Sequence, residues 1–178
     1  QATPQAAALD DEARPDAAML GTVLWHTAGV TQSRGPLRLR ASPSSGALFS
    51  TELYVLARQV DGLGPGMWHY DAEHHALHAL DHGPTPPSAM GLPHDAALAA
   101  APVLLVATAV FARTGRKYRD RTYRYVLADL GHVLENLHQA AAAVDQRQPA
   151  TAAVGVEARH VERALVEKVA VGRAIARI

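Results

Sequence analysis

Cysteine is absent from the 178 residues of the chain. That excludes disulfides, thiolate-bound zinc, iron–sulfur clusters and thiol nucleophiles. Lysine is nearly as scarce, since of 17 basic residues only Lys117 and Lys168 are lysines. Neither sign of charge is in excess, with 17 basic against 17 acidic residues. This balance argues against a nucleic-acid or membrane-surface partner, which would select a basic excess. No run approaches the ~18 apolar residues of a membrane span. No basic-then-apolar leader pattern follows Gln1, so the expected compartment is the cytoplasm. The lack of an initiator Met suggests a trimmed or truncated chain.

What is present suits one domain with a real core. A chain of this length buries roughly 70% of its unfolded surface. Residues 1–16, with no apolar stripe, read as an N-terminal arm or tail, and 17–178 as the domain. Asp16 is placed to cap a helix over 17–28, where Met19, Leu20, Val23, Leu24 and Ala28 recur at helical spacing before Gly29. Residues 30–45 read as loop. "ELYVLARQV" (52–60) reads as a strand, and "MWHYDAEHHALHAL" (67–80) as two short strands about a tight bend, giving an antiparallel meander over 52–80. A loop over 81–93 and a short helix in "HDAALAAA" (94–101) follow. "PVLLVATAVF" (102–111) is apolar on both faces, as in a central strand.

The strongest periodicity spans 121–144. Tyr123, Val126, Leu127, Leu130, Val133, Leu134, Leu137, Ala140, Ala141 and Val144 recur at three- and four-residue steps, predicting a long amphipathic helix. A strand at 150–156, a helix at 157–166 and a strand at 168–178 complete the order. The fold class is α+β, a mostly antiparallel sheet flanked by helices.

One turn stands out in "RASPSSGALFSTELYVLA", residues 40–57. Pro43 fixes φ, Gly46 lets the backbone approach a neighbour without a Cβ, and Ser44 and Ser45 add hydroxyls beside backbone N–H groups. Such a turn suits a flat ring or a phosphate, and equally an ordinary surface loop.

The run "LWHTAG … ASPSSGALFSTELYVLARQVDGLGPGMWHYDAEHHALHAL", with "RKYRDRTYRYVLADLGHVLENLHQAA" further on, resembles the flavin-dependent nitroreductase superfamily. Within it the likeness is to SagB-type dehydrogenases, which include azoline oxidases of thiazole/oxazole peptide biosynthesis. It covers about residues 20–144. The resemblance implies a nitroreductase-like sandwich, non-covalent FMN, and a homodimer with flavin at the interface and a long helix buried between subunits. It implies Pro43, Ser44, Ser45, Gly46 and Arg121 as flavin contacts. Asn136 is assigned to flavin or to the dimer partner, with a plain helix surface as the alternative. Lys117 and Tyr118 match the Lys-Tyr pair such oxidases use near the substrate. Two features depart from the pattern. The superfamily's basic Arg-Arg-Ser-x-Arg segment has no counterpart in residues 1–16, which hold only Arg14, so that segment lies upstream or the phosphate grip is weaker. The Pro-x-Gly-Gly loop is replaced by "VDQRQPATAAVGVEARHV", with Pro149 but no double glycine.

Azoline oxidation removes a hydride and a proton from adjacent carbons, for which the flavin carries the electron chemistry and the protein supplies orientation and a base. Lys117 sits among Arg113, Arg116, Arg119, Arg121 and Arg124, and neighbouring cations disfavour a charged ammonium. Tyr118 is placed to share the proton or hold substrate; the alternative is a solvated basic face. His74 and His78 are spaced to reach a common metal, but strand alternation turns His75 the other way, and no metal is expected. Trp25 and Trp68 read as core or dimer packing. The function classes are an FMN-dependent dehydrogenase of a peptide-derived heterocycle or similar small substrate, an NAD(P)H-dependent flavin reductase or nitroreductase, and a degenerate, non-catalytic dimeric module.

Overall fold

A computed structural model describes residues 14–80, 101–145, 153–154 and 171–175. The first helix, α1 (Ala17–Ala28), starts where expected: the Asp16 carboxylate accepts a hydrogen bond from the Met19 N–H at 2.7 Å. It ends at Gly29 for a reason of space. A Cβ there would lie 2.7 Å from both the Trp25 ring and the Trp25 carbonyl. Just before the helix, Pro15 and Asp16 pair with the 60–61 turn, the Asp61 N–H donating to the Pro15 carbonyl at 2.9 Å.

Residues 30–45 are not all loop. Val30–Arg34 (β1) and Leu37–Arg40 (β2) form an antiparallel hairpin, with Gly35 at φ +58° in its turn. β1 is largely exposed and carries no apolar alternation, and the Leu-Arg-Leu-Arg alternation of the half-buried β2 is only four residues long.

The main sheet contains β3 (Thr51–Ala57), β4 (Gly66–Asp71), β5 (Ala76–Ala79), β6 (Val103–Ala109), β7 (Ala153–Val154) and β8 (Val171–Ile175). Their order is β5-β4-β3-β6-β8-β7, and every pairing is antiparallel. The β3–β5 meander is as expected. β6 lies in the middle, buried at every position, as its two-faced apolar sequence requires. The expected strands at 150–156 and 168–178 correspond to the shorter β7 and β8. The helices expected at 94–101 and 157–166 lie outside the described residues, apart from Ala101, which is not helical.

Between sheet and long helix run α2 (Phe111–Tyr118) and a single 3-10 turn (Arg119–Arg121), a helix the charge-rich sequence concealed. The long helix α3 covers Thr122–Asp145. One sheet face (Leu53, Val55, Ala57, Val103, Leu105, Ala107) packs with Leu20, Val23 and Leu24 of α1 and with Leu130, Val133, Leu137, Ala140, Ala141 and Val144 of α3. Two members of the expected α3 stripe point elsewhere. Tyr123 is 53% exposed and Leu127 37% exposed. No described helix is long and apolar enough to cross a membrane.

Candidate functional site

The Pro-Ser-Ser-Gly-Ala turn joins the hairpin to β3 and is built from strained backbone. Ser44 is extended, and then Gly46, Ala47 and Phe49 all adopt positive φ (+65°, +54° and +46°). For an alanine or phenylalanine that region costs of the order of 1 kcal/mol or more, so the surroundings must enforce it.

They do so from three sides. From α3, the Asp129 carboxylate accepts hydrogen bonds from the Ser44 hydroxyl at 2.8 Å, the Ser45 hydroxyl at 2.9 Å and the Ser45 N–H at 2.9 Å. Within the turn, the Ser44 hydroxyl also accepts from the Phe49 N–H at 2.9 Å. From α2, Arg113 donates to the Phe49 carbonyl at 2.5 Å and pairs with Glu52 at 2.7 Å. Glu52 in turn holds His69 at 2.9 Å. From β2, the Arg40 guanidinium lies 4.6 Å from the centre of the Phe49 ring. Burial, partly offset by Glu52, holds the Arg40 pKa below its ordinary value. Ser50 and Thr114 are hydrogen-bonded beneath the turn.

Asp129 is 5% exposed and was missed as a functional residue by sequence reasoning. A signal was available. It sits three residues from Val126 and four from Val133, on the buried stripe, and a carboxylate there must find partners. Its grip has a chemical consequence. The hydroxyls of Ser44 and Ser45 and the Ser45 N–H are committed to an anion, so they are not donors waiting for a phosphate.

Lys117 and Tyr118, on the last turn of α2, come to the same place. A Cβ on Gly46 would lie 2.8 Å from the Lys117 Nζ and 2.8 Å from the Tyr118 hydroxyl. Glycine is thus required twice over, by its positive φ and by the side chains above it. The Lys117 ammonium also lies 5.4 Å from the centre of the Tyr118 ring, and Tyr118 packs against Tyr125 at 4.6 Å.

The other sequence-selected residues are placed less centrally. Pro43 is exposed at the start of the turn. Arg121 is exposed, its guanidinium 6.0 Å from the Tyr125 ring centre. Asn136 stands two helical turns beyond Asp129, on the order of 10 Å along α3. Its amide reaches the Thr27 carbonyl at 3.5 Å and helps line a cavity of about 350 Å³ with Thr22, His26, Gln139 and Ala140.

The histidine trio divides as expected, His75 away from His74 and His78, but a turn rather than strand alternation does it. Residues 72–75 form the hairpin turn rather than strand. His74 and His78 both bond Asp71, at 2.7 and 3.4 Å, and its carboxyl is held well below the usual carboxylate range, chiefly by His74. His75, exposed and at φ +49°, lies against the Tyr70 hydroxyl at 2.9 Å and edge-on to Trp25. Burial pushes the Tyr70 pKa up to about 12. Trp68 donates to the Gly64 carbonyl at 3.1 Å and packs against the core.

Comparison with known proteins fits this architecture. The chain is 35% identical over 120 residues to a protein of Methanocaldococcus jannaschii named for the nitroreductases, aligning 67% of this chain with 59% of that one. It is 32% identical over 104 residues to the trifolitoxin-processing protein TfxB of Rhizobium leguminosarum bv. trifolii, covering 54% of this chain and 28% of the relative. The chain therefore spans 59% and 28% of the lengths of these relatives, under two thirds of each. A nitroreductase-type structure from Anabaena variabilis superposes with a TM-score of 0.69 at 26% identity, over 88% of this chain and 34% of its own. The E. coli microcin synthetase McbBCD complex, solved with truncated pro-MccB17 bound, shares the fold at a TM-score of 0.61 and 17% identity, over 92% and 64% of the two chains. With the Nitroreductase family pattern matching residues 8–145 of a fold built on this antiparallel sheet and long helix, the chain belongs to the nitroreductase family.

Proposed function

We propose that the chain is the catalytic domain of an FMN-dependent oxidoreductase of the SagB type, which dehydrogenates a peptide-derived heterocycle, azoline to azole, or a similar small substrate. The observation that carries this reading is the convergence of Lys117 and Tyr118 on Gly46, in a turn that Asp129 holds rigid. The names of the trifolitoxin-processing relative and of the microcin synthetase neighbour support a peptide-derived substrate. The name of the archaeal relative favours a second reading, an NAD(P)H-dependent nitroreductase on the same site. The missing Gly-Gly loop favours a third, a dimeric module without turnover.

The turn fits the ring of FMN better than its phosphate. Its backbone is locked, its glycine lacks a Cβ, and its serine donors are engaged by a carboxylate that would repel an anion. Pro43, Ser44, Ser45 and Gly46 would border the ring, Arg121 lies within the same cationic end of the site, and Asn136 would serve the subunit interface or the cofactor. Bound there, FMN would supply the two-electron oxidation–reduction. Lys117 would take the proton from the substrate carbon, and the Tyr118 hydroxyl would orient the substrate or pass that proton on. The exposed Tyr123 and Leu127 of α3 are the surface on which a homodimer would close. A monomer in sedimentation at micromolar concentration contradicts that assembly.

Lys117→Arg tests the base. Arginine keeps the charge but cannot accept a proton near neutral pH. General bases contribute about 10²–10⁴-fold, so azoline turnover should fall at least about a hundredfold with flavin still bound. Turnover within a few-fold of the parent removes Lys117 from the mechanism and leaves Tyr118 as the candidate.

A further inference from the structure

Beside the turn, from the end of α2 to the start of α3, the chain concentrates positive charge that nothing described neutralises. Arg116, Lys117, Arg119, Arg121 and Arg124 are all exposed. Among the described residues none of the five is ion-paired, although Asp120 lies within the run. Arg113, by contrast, is paired with Glu52. The chain as a whole has no net charge, so this is a local asymmetry, not a general basicity. Two of the cations are anchored on rings: Lys117 over Tyr118 and Arg121 over Tyr125, with those two rings packed together at 4.6 Å. The strip therefore presents five cations, two of them beside rings, over a length of the order of 10 Å, and includes the Lys117 side chain that lies over Gly46.

We propose that the Arg116–Arg124 strip is the docking surface for a carboxylate-rich segment of a peptide substrate, which it steers to and holds beside Gly46. This rests on the functional reading above, that the substrate is peptide-derived, and names its charge. A single small anion engages one or two of these groups, whereas a segment with several carboxylates engages the strip along its length. Nucleic acid is a poorer match. Its affinity comes from many phosphate contacts along an extended basic face, about 6–10 in a typical site. Electrostatic complementarity of this kind raises the encounter rate and weakens with salt.

The test uses the full chain and fluorescence anisotropy with three labelled probes: a short Glu-Gly repeat peptide, its Gln-Gly counterpart and a short oligothymidylate. The Glu-Gly peptide should bind at least about tenfold tighter than the Gln-Gly peptide and tighter than the oligothymidylate, and its affinity should fall as salt rises. The triple variant Arg116→Gln/Arg119→Gln/Arg124→Gln should lose about tenfold, while the corresponding triple lysine variant, which keeps the charge, stays within about threefold of the parent. Equal binding of the Glu-Gly and Gln-Gly peptides overturns the proposal, as does an oligothymidylate that binds as tightly as the acidic peptide. So does a triple glutamine variant with unchanged affinity and normal circular dichroism. FMN titration of the same samples is a separate readout. A chain that binds FMN but does not discriminate the peptides loses only the docking surface. One that discriminates the peptides but refuses FMN loses the oxidoreductase reading instead.

Discussion

Asp129→Ala is the substitution to which the turn should respond most strongly. One carboxylate receives the hydroxyls of Ser44 and Ser45 and the Ser45 N–H, and it is nearly buried. Hydrogen bonds to a charged group contribute about 1.5–3 kcal/mol each, but the three share one acceptor group and do not add. Removing the carboxylate also removes the cost of burying it. The strained φ values of Ala47 and Phe49 would relax once the turn is released, returning part of the loss. The net expectation is a destabilisation of about 2–3 kcal/mol, or about 5–10 °C in melting temperature for a domain of this size. Asp129→Asn keeps one oxygen for the Ser45 N–H and offers its NH₂ to the hydroxyls, so it should lose less, about 1 kcal/mol. Thermal and urea unfolding followed by circular dichroism measure both. If Asp129→Ala lies within about 0.5 kcal/mol of the parent, the carboxylate does not hold the turn.

Gly46→Ala should cost about 1–2 kcal/mol, because a Cβ there is strained by φ +65° and must push the ends of Lys117 and Tyr118 aside; a neutral substitution in urea unfolding would place those side chains elsewhere. The hairpin cluster of Asp71, His74 and His78 should depend on pH. The Asp71 pKa is lowered in the fold, so its contribution is present above the ordinary carboxylate value of 3.8 and is lost as pH falls through the folded value. The His74 pKa is raised, first by the bond to Asp71, so its contribution is full below 6.5 and fades as pH rises through the folded value. The tip is therefore tightest between those two pH values. Asp71→Asn should bring the His74 titration, followed by ring-proton NMR, back towards 6.5; a midpoint unmoved by the substitution contradicts the pairing.

How much of this could be read beforehand follows the strength of the local signals. β6 and α3 declared themselves because burial on two faces, or on one helical stripe, leaves a periodic record in side-chain type. Asp16 and Gly29 marked the ends of α1 through capping and close approach. The β1–β2 hairpin left little record, because β1 is exposed, β2 is only four residues long, and the two are held by backbone pairing and a glycine turn. α2 was hidden because its Arg113, Arg116 and Lys117 leave no apolar stripe in so short a segment; only the fold shows Arg113 tied to Glu52 and to the Phe49 carbonyl. The turn was conspicuous for its proline, serines and glycine, yet the residue that fixes it lies 84 positions away in sequence. Contacts of that kind depend on how α3 packs beside the turn, and no local pattern contains them.

The central claim is that FMN lies against the Ser44–Ala47 turn, beside Lys117 and Tyr118. Its most direct measurement is amide NMR of the isotope-labelled chain during FMN titration. The account expects saturable binding with the largest shifts at Ser45, Gly46, Ala47 and Tyr118, and loss of those shifts in Gly46→Val while the rest of the spectrum stays folded. An unshifted turn at saturating FMN, or equal binding by Gly46→Val, would contradict it.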